Sequence, residues 1–203
     1  MYKYIENKMG LCIYYNGKIK DAASLPRLVE EVKDIAAINK WKYQILESSF
    51  PNDVLDSEEH LESLYGINFT PPNCETVSIT FLSNGVMVCP GAVKYFGNSK
   101  NETEKNFIYQ LWVKTQFAGM LIHATIINLF KYLNNKYFAD FEMTDESGYW
   151  ETGDESLMQA NFKEYDALLD NFVLSMETFP VQKGENMISY FERLLEHINK
   201  LKQ

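Results

Sequence analysis

The sequence predicts an α+β fold in one compact domain over residues 1–203, with a mixed sheet carrying helices. Three observations predict it. Strand-like runs alternate with amphipathic runs to give two strand–helix–strand units. Ser83-Asn84-Gly85 separates two apolar runs and marks a central β-hairpin, because Asn-Gly tolerates the positive φ of a tight turn. Two apolar stripes at helical spacing then predict an antiparallel helix pair over 152–203, packed on the sheet or on a partner.

In chain order, residues 1–8 mix polar and aromatic side chains without an apolar run, and read as a frayed extension rather than a secretory signal. Residues 11–19 predict a strand with a turn at Asn16-Gly17. Ser24 suits an N-cap for a helix through Leu28, Val29, Val32 and Ala36, with Pro26 tolerated in its first turn. Residues 41–46 predict the next strand. Asp56 and Glu59 suggest a capping box for a short helix ending at Gly66. Thr70-Pro71-Pro72-Asn73 breaks any element. The hairpin spans 76–82 and 86–88, and the polar stretch 97–106 reads as a loop.

The second unit consists of a strand at 107–117, an apolar helix at 119–134 and a strand at 138–144. Its helix exits through Asn134-Asn135-Lys136-Tyr137, which echoes Asn39-Lys40-Trp41 after the first helix, as in a pseudo-repeat. Thr152 and Glu155 suggest a capping box for the penultimate helix, which Pro180 ends. A stripe through Ile188, Phe191, Leu194, Leu195 and Ile198 predicts the last helix.

Composition narrows the function classes. The formal net charge is −9, so nucleic acid and anionic membrane surfaces are disfavoured partners. No apolar run approaches the length of a membrane span. Cys12, Cys74 and Cys89 form neither an even disulfide set nor a Cys-x-x-Cys pair, which suits a reducing, cytoplasmic setting. Abundant Asn, Lys, Ile and Tyr suggest an AT-rich bacterial genome. No phosphate loop, dinucleotide fingerprint, zinc motif or nucleophile elbow is present, so no cofactor and no metal are expected.

Segment 145–155 concentrates five carboxylates, two glycines, Tyr149 and Trp150 between a strand and a helix. Close carboxylates bind hard cations or tune one another for acid–base work, which makes Asp145, Glu146 and Glu151 the catalytic candidates. The calcium-loop template fails, since its third and fifth positions fall on Ser147 and Tyr149. His123 lies in the apolar arc of its helix, as a base or as a core histidine. Tyr149 and Trp150 are candidates for binding a ligand or partner. Lys114 and Gln116 join them, because a parallel crossover between strands 107–117 and 138–144 brings their ends together. The expectation is a non-enzymatic binding or protein-interaction domain, with a protein partner or a homodimer. The alternative is a small hydrolase or transferase that uses segment 145–155, with or without a divalent metal.

Overall fold

The structure is a computed structural model that describes residues 10–47, 54–56 and 60–201. The fold is α+β. Its elements are β1 (Cys12–Ile19), α1 (Leu25–Ile38), β2 (Lys42–Glu47), β3 (Tyr65–Thr70), β4 (Val77–Phe81), α2 (Pro90–Phe96), α3 (Glu102–Lys105), β5 (Leu111–Lys114), α4 (Met120–Tyr137), β6 (Phe138–Asp145), α5 (Tyr149–Thr152), α6 (Glu155–Thr178) and α7 (Met187–Leu201).

The strands make two antiparallel sheets, β5-β1-β6 and β2-β3-β4, rather than one mixed sheet. Each expected unit is redistributed. The first puts β1 in one sheet and β2 in the other. In the second, β5 and β6 run parallel as a crossover requires, but β1 lies between them and pairs with both. The hairpin turn joins the two sheets. Phe81 bridges Met87 and Lys18 bridges Val86, so segment 85–88 pairs with β4 on one side and β1 on the other. Gly85 sits in the turn at φ +80°.

Several local expectations change. Asn16-Gly17 does not turn, because both residues continue the ladder of β1 against β6. Gly66 lies within β3 rather than ending a helix; the Glu59 half of that capping box lies outside the described residues. Part of 97–106 is helical, since Asn101 caps α3 by accepting from Thr103 N. Pro90 occupies the first turn of α2, where its missing N–H costs nothing. Only 111–114 of the long 107–117 run is strand. Ser24 makes no side-chain cap; Asp21 caps the preceding 3-10 turn instead, accepting from Ser24 N at 2.8 Å.

One main core joins both sheets to α1 and α4. Ile13, Tyr15 and Val113 face it from the first sheet, and Ile67, Phe69 and Ile79 from the second. Leu28 and Val32 of α1 close it, with Ile126 and Phe130 of α4. Lys136 Nζ of α4 ties that helix to α1, donating to Glu31 at 2.7 and 3.0 Å and to Tyr132 Oη at 2.6 Å. Burial raises the Glu31 carboxyl, yet the hydrogen bonds from Lys136 and Tyr132 outweigh it and bring the group down to about 2.

Candidate functional site

The acidic-aromatic segment begins where β6 ends. Residues 141, 143 and 145 share the inward phase of that strand, so Asp145 is carried into the protein and is 5 % exposed. Its carboxylate is fully employed there. Oδ1 accepts from Ser147 N at 2.9 Å. Oδ2 accepts from Ser147 Oγ at 2.7 Å, Tyr149 N at 2.8 Å and Trp150 N at 3.1 Å. These bonds take up the amides that open α5, Tyr149 N also reaching Ser147 Oγ at 3.3 Å.

His123 meets the same carboxylate from α4. Its Nε2 lies 3.0 Å from Asp145 Oδ1 and 2.8 Å from Ser147 Oγ, while Nδ1 lies 2.6 Å from Thr115 Oγ1. Ser147 Oγ already donates to Asp145, so it faces Nε2 with a lone pair, which places a proton on Nε2. Phe162 of α6 covers the ring edge-on with centroids 5.3 Å apart. Burial pushes the Asp145 carboxyl up. The hydrogen bond and charge of His123, together with the Ser147 bonds, outweigh that and hold it at about 2.

Thr115, His123 and Asp145 thus follow the order hydroxyl, imidazole, carboxylate used in nucleophilic catalysis. Access decides against that use. Thr115, His123 and Ser147 are 0 % exposed. None of these groups lines the clefts described below. The cluster fastens the end of β5, the start of α4, the end of β6 and the turn into α5 to one another.

The remaining candidates do not converge on it. Glu146 turns to β1, where its Oε2 accepts from Cys12 N at 2.8 Å. Glu151 is exposed on α5. Asp154, rather than Thr152, caps α6 by accepting from Ser156 N at 2.8 Å and Leu157 N at 3.2 Å. Tyr149 and Trp150 are half-buried against the core, with Lys131 Nζ 5.2 and 5.6 Å from their ring centroids. Trp150 also meets Phe141 edge-on at 5.8 Å. Lys114 pairs with Cys12 in β1 rather than with β6, and its Nζ lies over the Phe117 ring at 5.3 Å. Gln116 is buried in the turn after β5. Lys114 and Glu146 therefore reach the same end of the sheet from opposite sides of Cys12. Among the described residues, no three His, Cys, Asp or Glu side chains gather to hold a metal ion. Burial and the Glu146 charge push the Cys12 thiol up to about 11, away from nucleophilic use.

The open surface is the outer face of β5-β1-β6. Register places Trp112, Tyr14 and Thr144 in one row across the three strands, with Asn16 and Glu142 paired in the next. Asn16 Nδ2 donates to Glu142 Oε2 at 3.4 Å. These residues border a cleft of about 540 Å³ that also reaches Tyr109, Gln110 and Met143. Trp112 is 51 % exposed and Tyr14 37 %. A smaller cleft of about 320 Å³ lies between Leu61, Gly97, Glu102 and Tyr109. The sequence expectation missed the outer face. Its signal was the strict alternation of Leu111-Trp112-Val113, which puts a tryptophan in the outward phase between two core residues. No protein-family model, curated protein or solved structure matches this chain.

Proposed function

We propose that this chain is a non-catalytic protein-interaction module that holds a basic segment of a partner against the outer face of β5-β1-β6. The observation that carries this reading is the exposed Trp112 beside Tyr14 at an open cleft. Tryptophan and tyrosine are the side chains that most often anchor protein interfaces, and their ring faces attract guanidinium and ammonium groups. The charge nearby has the matching sign. Glu142 lines the cleft, while Asp140, Glu146 and Glu75 surround the face against Lys18 and Lys114. The formal charge of −9 steers basic partners toward the molecule. Three unpaired cysteines support a reducing, cytoplasmic setting. No helix among the described residues is long and apolar enough to cross a membrane.

Selection of random displayed peptides on the immobilised full chain tests the reading. Enriched peptides are expected to carry Arg or Lys, to lose about tenfold or more in affinity for Trp112→Ala, and to weaken as salt rises from ~0.05 to ~0.5 M. Enrichment of acidic or uncharged peptides, or equal affinity for Trp112→Ala, contradicts it.

A further inference from the structure

We infer that a second copy of this chain covers the apolar face of α6 and α7, so that two helical hairpins close into a four-helix bundle. This surface is separate from the sheet face above. In α6, Met158, Phe162, Tyr165, Leu169, Phe172 and Met176 recur alternately at four and three residues, the spacing of a packed helical seam. The chain itself uses only the first part of the seam. Met158 and Phe162 are buried with Leu11, and Tyr165 packs beside them. Beyond Tyr165 the seam is partly open, with Leu169 and Met176 each 38 % exposed and Phe172 half-buried, and Leu168 beside it is 52 % exposed.

α7 turns Tyr190 and Leu194 inward but leaves Ile188 at 74 % and Leu195 at 59 % exposed. The contacts that seat it gather at the end of α6. Phe179 stacks on His197 with centroids 4.5 Å apart, and the Arg193 guanidinium lies 4.1 Å from the Phe179 ring centroid. Arg193 also donates to Pro180 O at 3.1 Å and to both oxygens of Glu185 at 2.7 Å.

Eleven of the twenty-one exposed large apolar side chains among the described residues lie between Leu157 and Leu195. Leu157 is at the far end of α6; the other ten, 38–74 % exposed, share the hairpin. Leu174 faces away from the seam; the other nine, at about half exposure, present on the order of 80 Å² each, about 700 Å² together, close to the ~800 Å² a standard interface takes from each partner. A free monomer rarely leaves a patch of that size uncovered. Two apolar-faced helices are half of a four-helix bundle, and a two-fold axis supplies the other half from identical residues. Exposed carboxylates such as Asp166, Asp170, Glu177 and Glu192 flank the face. Like charges therefore meet at the rim of the dimer, and salt strengthens it, opposite to its effect on the sheet face.

Light scattering after gel filtration of the full chain tests this. The mass expected at ~100 µM is about 47 kDa, twice the 23.6 kDa of one chain, with a dimer fraction that rises with salt. Leu168→Glu with Ile188→Glu is expected to give 23.6 kDa throughout with an unchanged circular dichroism spectrum, since both positions are exposed. Trp112→Ala is expected to leave the dimer intact. A wild-type monomer at ~100 µM, a dimer that survives the double substitution, or a dimer that weakens with salt overturns the proposal.

Discussion

Asp145→Ala is expected to destabilise the chain by about 3–5 kcal/mol, because it takes the acceptor from several buried hydrogen-bond donors at once. The carboxylate meets His123 Nε2 at 3.0 Å and accepts from Ser147, Tyr149 and Trp150. Without it, a fully buried imidazole loses its anionic partner, and the Trp150 amide and the Ser147 hydroxyl lose the acceptor they donate to. Water has no ready route to replace it, since both side chains of the pair are 0 % exposed. The same group makes stability depend on pH. Its folded value of about 2 lies below its ordinary 3.8, so the unfolded chain binds the proton more readily. The stabilisation is complete above about pH 4 and drains as pH falls toward about 2, a loss on the order of 2 kcal/mol. Urea unfolding of both proteins at pH 7 and pH 3 measures both effects. The gap between them is expected to narrow at pH 3. A gap under about 1 kcal/mol at pH 7 would mean that the carboxylate does not hold this corner together.

Gly66→Ala is expected to be at least as damaging, costing about 4 kcal/mol or more. Gly66 faces Thr80 across the β3–β4 pair at φ +150°. A Cβ there would lie 2.2 Å from Ile79 O and 2.6 Å from Thr80 Cα. These obstacles are backbone and cannot rotate aside. The strands must part, or slip by one residue and turn Ile67 and Phe69 out of the core. Gly153→Ala is the control. It also has positive φ, +66°, but nothing lies within 4 Å of its new methyl, so about 1 kcal/mol is expected. Thermal melts of the two variants separate the steric cost from the conformational one. Equal melting temperatures would remove the close approach as a cause.

What the chain reveals before folding is mostly local. α1 and α4 follow from their apolar arcs, and β6 from a short alternating run, because period and burial share one axis of the element. Pairing is a different matter. Nothing local states that β1 enters between β5 and β6, and that insertion separates Lys114 from Asp145 while bringing both to one sheet end. Gly66 suggests a helix end by residue type alone, whereas its true reason is the backbone of β4 opposite.

The acidic segment shows the same limit at the level of chemistry. Its carboxylates are neighbours in sequence but serve four separate purposes: a buried pair, a bond to β1, an exposed helix face and a cap. One clue was within reach. His123 in an apolar arc and Asp145 in the inward phase of a strand are both polar misfits in core positions, and each satisfies the other. Ser147 and Thr115 complete the cluster through contacts that spacing does not encode.

Binding at the outer sheet face is tested most directly by chemical-shift mapping of the labelled chain with N-acetyl-arginine methylamide, and with the glutamate analogue as the opposite charge. Trp112→Phe assigns the indole N–H resonance of Trp112 among those of Trp41 and Trp150. The arginine probe is expected to move that resonance and the amides of Tyr14 and Thr144 at millimolar concentration, and the glutamate probe to leave them in place. Shifts of equal size with both probes, or shifts confined to residues outside β5-β1-β6, would contradict it.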